Sequence, residues 1–325
     1  MQVSSIQAFL IEFGEASNMN FKNIGIGIVA VMLISGGIWF FMISSYEEDL
    51  GTKNKFRAID STNNLTLEKN NSLFDLSFSE SEESLEWSKL RISIDNGTER
   101  MDCSKGNFTS NEIGKSKVSP MLSSDSVTFT VMIDATSEDE FTYLDIFDLV
   151  EGNTSNFNLR FSKTDIYLSE NTTGTIVQDK RFEELTEVPD QDFTENSDER
   201  LDWYDYKIST HRIESEDKIY VIKVDDNFFK IKFTSYYNED DEARYISFLI
   251  GALENTEFPA LSNPLLVSPA KCTILEMSKS DFWEETETIE IYENDFDICN
   301  ETCTIQIFIT YENISVKGTK IVNLV

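Results

Sequence analysis

The sequence predicts an all-β exterior carried on one N-terminal transmembrane helix. Three observations predict it. Residues 24–43 read IGIGIVAVMLISGGIWFFMI, twenty positions without a charge. Beyond them, apolar and polar residues alternate at period two in nearly every apolar run. No segment of that remainder shows the period of an amphipathic helix.

The uncharged run comes first. At ~1.5 Å per residue it spans roughly the thickness of a hydrocarbon core. Trp39 and Phe40 stand near its end, where interface aromatics belong. No A-x-A cleavage site follows, so the run reads as an anchor that stays. The lipid bilayer is thus an expected partner through residues 24–43. Residues 1–23 form an inner segment with Ile6, Phe9, Leu10 and Phe13 at helical spacing. Lys22 precedes the span and Lys53, Lys55 and Arg57 follow it, which by the positive-inside rule favours a C-terminal side inside. Eight N-x-[ST] sequons point the other way, at Asn64, Asn70, Asn96, Asn107, Asn153, Asn171, Asn300 and Asn313. All follow the span, as do all four Cys, which suits an oxidising exterior. The expected product is a single-pass glycoprotein with the bulk of its chain outside the cell.

Residues 44–72 are polar and read as a stalk. The strands follow. Val127, Phe129, Val131 and Ile133 face one way in SVTFTVMID. The same holds for Tyr220, Ile222 and Val224, for Phe229, Ile231 and Phe233, and for Ile305, Ile307, Ile309 and Tyr311. Asp225-Asp226-Asn227 reads as a hairpin turn between two of these runs. Pro120 stands before one strand, and Pro259, Pro264 and Pro269 lie between Leu253 and Cys272. Proline marks connections rather than central strands. The two places bracket a central segment whose flanks share short strands and Asn-rich turns. The expectation is an inserted β-domain, 119–254, within a split β-sandwich, 73–118 plus 265–325. A bridge from Cys103 to Cys272 would staple the neck, leaving Cys299 and Cys303 for a local loop. Four Cys allow three connectivities, and two consecutive domains with unrelated pairings remain the alternative.

The charge excludes function classes. There are 59 acidic and 27 basic side chains, a net charge of −32. Nucleic-acid binding needs Lys and Arg to neutralise phosphates, and anionic lipid heads would repel this surface. One His makes His-based metal centres and catalytic triads hard to assemble. No G-x-S-x-G, P-loop or H-E-x-x-H motif occurs, and an enzyme is not expected. The acidic runs Asp190 to Glu199 and Glu239 to Glu242 lack the spacing of a calcium loop and read as solvated faces.

In the central segment FTYLDIFDLVEG, FNLRFSKTDIYLSENTTGT, LDWYDYKISTHRI and KIYVIKVDDNFFKIKFTSYY occur in that order. Over roughly 125–250 this resembles the HmuY-like family of bacterial surface haem-binding proteins. That family's pattern has an aromatic strand, a W-D-x-A-F type strand leading to an N-G-G turn, a W-Y-x-Y segment, and then Y-V-V-R with a closing Y-Y strand. Phe157 to Phe161 stand at the second element, Asn171 to Gly174 at the turn, Trp203 to Tyr206 and His211 at the third, and Tyr220, Val221, Lys230, Tyr236 and Tyr237 at the last. The resemblance implies an HmuY-like β-domain and possible haem capture. Several positions depart from the pattern. Phe157 replaces the Trp, the turn is Thr-Thr-Gly, and known members are lipid-anchored. Ser162, beside Lys163, stands where the members with two His ligands place one of them. Haem ligands therefore do not carry over by position.

On residue type, His211 is the candidate axial ligand, with Met121, Met132 and Met277 as partners. A structural His in a Tyr-rich strand is the competing reading. Trp203, Tyr204, Tyr206 and Tyr236, with Phe228, Phe229 and Tyr237, would line a slot for a flat apolar ligand, or fill a core. Haem is the one cofactor implied. The flanks and span resemble archaeal pilin-like surface proteins. That implies an alternative, a structural or adhesive surface protein without a small-molecule ligand.

Overall fold

The computed structural model describes residues 86–111, 114, 116–194, 198–275, 289–293, 298–299, 302–311 and 314–325, with Met32 and Ile59–Asp60. The chain divides into two units, 1–52 and 53–325. In the first only Met32 is described, in helical conformation and exposed, so the expected span and inner segment lie outside the described residues. Among the described residues no helix is long and apolar enough to cross a membrane.

The second unit is built of strands. In chain order they are β1 (Ile59–Asp60), β2 (Leu90–Asp95), β3 (Arg100–Ser104), β4 (Phe108–Ser110), β5 (Val118–Leu122), β6 (Phe129–Asp134) and β7 (Thr142–Asp145). Next come β8 (Val150–Glu151), β9 (Leu159–Ser162), β10 (Asp165–Leu168), β11 (Thr172–Val177), β12 (Tyr204–Lys207), β13 (Arg212–Ser215) and β14 (Ile219–Val224). The last are β15 (Asn227–Tyr237), β16 (Ala243–Ala252), β17 (Val267–Pro269), β18 (Cys272–Ile274), β19 (Ile289–Glu293), β20 (Thr302–Tyr311) and β21 (Ile314–Leu324). Two 3-10 turns, Trp87–Lys89 and Pro259–Ser262, complete the described elements.

Strands from the two ends of this unit share one sheet, ordered β1-β21-β19-β18-β3-β2-β20, and β21 also pairs with β20. The ladder therefore closes into a ring. The sequence suggested a two-sheet sandwich for these flanks. The ring is possible because β21 is long enough to be paired along Ile314–Asn323 on one edge and with β19 on the other. Closure removes the free edges that a sheet must otherwise protect. Period-two alternation supplies its interior: Leu90, Ile92, Ile94, Ile291, Ile305, Ile307, Ile309 and Tyr311 bury together. Ile59–Asp60, in the stretch read as a stalk, pair in parallel with Val316–Lys317.

Cys103 and Cys272 are register partners on parallel β3 and β18, bridged with Cα atoms 4.9 Å apart. Cys299 is bridged to Cys303. Just beyond the first bridge, β4 and β17 pair antiparallel, and Asn111 N donates to Leu266 O at 2.8 Å. The two chain passes thus run side by side at this neck.

The intervening chain forms two layers. One is a six-stranded sheet, β11-β14-β15-β16-β6-β5; the other has four strands, β10-β9-β7-β8. Between them lie Phe129, Val131, Ile133, Leu144, Leu159, Phe161, Ile222, Phe229, Ile231, Phe233 and Phe248. Phe161 and Phe248 stack across the layers with centroids 6.0 Å apart. Three prolines read as connections fall inside elements. Pro120 lies in β5, an edge strand with no second partner to miss its N–H. Pro259 opens a 3-10 turn and Pro269 ends β17.

Candidate functional site

Trp203, Tyr204, Tyr206 and His211 lie on or beside the β12–β13 hairpin, and Tyr236 lies on β15. Alternation along a strand sends neighbours to opposite faces, and that divides these residues. Trp203 is fully buried between the layers. Its Nε1 donates to Thr164 O at 2.8 Å, and its ring lies 5.2 Å from Phe233 and 6.4 Å from Tyr236. Tyr236 is buried as well, and burial pushes its phenol above the usual range. Both fill the core rather than line an open slot. Tyr204 is half-buried at the border, its hydroxyl 3.4 Å from Arg200 Nη1. Phe229 is buried between the layers too, while Phe228 packs on the opposite face of the sheet.

Tyr206 and His211 stand outside. Both are exposed, and Tyr206 Oη lies 2.8 Å from His211 Nδ1. The turn makes this contact possible. Lys207 pairs with Arg212, the four residues between them form the tip, and His211 sits at φ 52°, a left-handed conformation uncommon for a residue with a Cβ. Ile208 at the tip is 77% exposed.

The hairpin is fixed next to its tip. Arg212 clamps the Asp241 carboxylate through both amino groups, at 3.0 and 2.5 Å, and lies 3.9 Å over the Tyr237 ring. Tyr237 Oη in turn accepts from Ile213 N at 3.1 Å. Asp241 raises the guanidinium pKa further. Part of the acidic run 239–242, read from sequence as a solvated face, is therefore a structural anchor. No motif announces it, because Arg212 and Asp241 are distant in sequence and meet only through strand pairing.

The other candidates scatter. Met121 S accepts from Arg91 Nη1 at 3.1 Å, Met132 lies on β6, and Met277 is outside the described residues. Ser162 is half-buried at the end of β9. Lys163 beside it pairs with Glu138 at 2.7 Å, and Arg244 reaches the same carboxylate at 2.5 Å. These two cations hold Glu138 at about 2. Among the described residues no group of three His, Cys, Asp or Glu side chains is placed to hold a metal ion.

No family model and no curated protein matches the chain. Solved structures align with part of it. A presumed lipoprotein of Bacteroides fragilis shares 14% identity over 39% of this chain and 89% of its own, with a TM-score of 0.31. A presumed HmuY-like heme-binding protein of Bacteroides vulgatus shares 12% over 38% and 91%, with a TM-score of 0.33. An apo HmuY analog of Tannerella forsythia shares 15% over 45% and 100%, with a TM-score of 0.30. Likeness at these scores transfers no residue role, and it lends no support to a pilin-like reading of the flanks.

Proposed function

We propose that this is a membrane-anchored cell-surface binding protein that captures haem or another flat hydrophobic ligand, without catalysis. The observation that supports the reading best is the Tyr206–His211 pair, exposed on a hairpin that Arg212 ties to Tyr237 of β15 and to Asp241 of the following turn. Both side chains are of types that serve as axial ligands to haem iron, so the donor set fits the group in kind. A bound haem would supply an iron centre at this hairpin, and the protein's part is to present the ligand on a fixed base. Residues 24–43 support anchorage by their uncharged length, and the sequons and disulfides support an exterior location.

A second reading has its own observation. Trp203 and Tyr236 are spent on the core. A structural or adhesive surface protein with no small-molecule ligand would use them in the same way.

The test is a ferric haem titration of residues 53–325 followed in the Soret region, with His211→Ala and Tyr206→Phe alongside. A saturable one-to-one shift lost in His211→Ala supports haem capture at this hairpin. A shift that survives both substitutions moves the ligand elsewhere. No saturable shift at micromolar haem overturns haem capture and leaves the adhesive reading.

A further inference from the structure

Between β11 and β12 the chain crosses the outer face of the six-stranded sheet as a strap, residues 178–194. Phe182 and Leu185 of the strap cover Ile219, Val221, Leu249 and Leu253 of the sheet. Lys230 rises from β15 into this cover. Its stem passes Gly251, where an added Cβ would lie 3.4 Å from Lys230 Cε, so a small residue leaves it room. Its Nζ donates to Phe182 O at 2.7 Å and Leu185 O at 2.9 Å, 4.3 Å from the Phe182 ring centre.

Glu183, between those two residues, reaches the other way. Its Oε1 accepts from Ser88 N and from Ser88 Oγ, both at 2.8 Å. Ser88 lies in the 3-10 turn that enters β2 of the ring. One carboxylate thus joins the strap to the ring, across 95 residues of sequence. The charged groups around it come from four elements. The 3-10 turn brings Glu86 and Lys89, 3.2 Å apart. Tyr311 of β20 accepts from Lys89 at 3.2 Å and donates to Glu86 at 2.5 Å. The loop between β5 and β6 brings Asp125, bonded to Val127 N at 3.0 Å and Thr128 N at 2.9 Å. β15 brings Lys230. On the strap itself, Arg181 and Glu184 pair with each other at 2.9 Å, next to Lys180.

We propose that Glu183 is a pH-sensitive clasp that holds the strap and the ring together most firmly in mild acid and loosens as its carboxyl ionises. Ionisation sets a negative charge at a half-buried place that also holds the carboxyl groups of Glu86 and Asp125. Burial holds Glu183 above the usual carboxylate range; the Ser88 bonds act against this, and Glu86 and Asp125 add to it. A carboxyl raised in the folded state contributes stability that is fully present below its unfolded value and is lost as pH rises through the folded one. The protonated carboxyl keeps an oxygen that can accept from Ser88.

The experiment is hydrogen exchange of the strap amides in the full chain, referenced to β20 amides, from about pH 5 to about pH 8. Strap opening in the wild type should rise about threefold or more across that range, beyond the intrinsic change in exchange chemistry. Glu183→Gln, which keeps the acceptor and removes the charge, should lose most of that pH dependence and be better protected than wild type at the upper end. Ser88→Ala should loosen the strap at every pH. The same pH dependence in Glu183→Gln, or a strap less protected than wild type at the upper end, overturns the clasp.

Discussion

Removal of the Cys103–Cys272 bridge by the paired substitution Cys103→Ser/Cys272→Ser should cost about 5 kcal/mol of unfolding free energy. The magnitude follows from the loop. The bridged residues are 169 apart in sequence, and the chain-entropy relation gives roughly 5 kcal/mol for a loop of that length. That figure assumes that everything inside the loop unfolds together. If the two layers formed by residues 118–252 stay folded while the ring opens, they act as a short rigid link. The flexible part then shrinks to roughly thirty residues and the cost falls to nearer 4 kcal/mol. Register favours an unstrained bond, because Cys103 and Cys272 are partners on adjacent strands. Urea unfolding can separate the two cases, since Trp87 is buried in the ring and Trp203 between the layers. Single-tryptophan variants would report each part in turn. Coincident transitions with the larger loss indicate one cooperative unit; an earlier Trp87 transition with the smaller loss indicates two. A loss below about 1 kcal/mol with coincident transitions would refute the claim that this bridge restrains the unfolded chain.

Trp203→Ala should destabilise by about 3–5 kcal/mol, because it empties a fully buried site and leaves Thr164 O without its donor; a thermal melt unaltered from wild type would show that the ring does not fill the core. Lys230, pushed down from 10.5 to about 8 chiefly by burial, makes the unfolded state bind more protons between those values. Stability should therefore rise with pH across that window, and Lys230→Met should remove that part of the slope in urea titrations. An equal slope in both proteins would contradict the buried-charge account.

The alternating runs were legible in the sequence because burial on a strand is written in local periodicity. Phe129, Val131 and Ile133, like Phe229, Ile231 and Phe233, bury as their spacing says, whereas Val127, assigned to the same face, precedes β6 and is exposed. The turn at Asp225-Asp226 was legible for the same local reason. Lys230 shows where such reading stops. Alternation puts it on the opposite face from Phe229 and Ile231, which in an isolated sheet is solvent. Only the strap turns that face into a second core. Trp203 and Tyr236 read as slot or core, with core the leading reading, and both are buried between the layers.

Composition and pattern alone determined the all-β class and the acidic charge balance. Those properties are sums over residues or depend on near neighbours. Tertiary structure alone decided that the flanking strands close into a ring, that Arg212 finds Asp241, and that Glu183 reaches Ser88. Each is a pairing between residues far apart in the chain, set by strand register and by which surface covers which. Local spacing carries no information on such pairings, because their geometry exists only after the sheets have assembled.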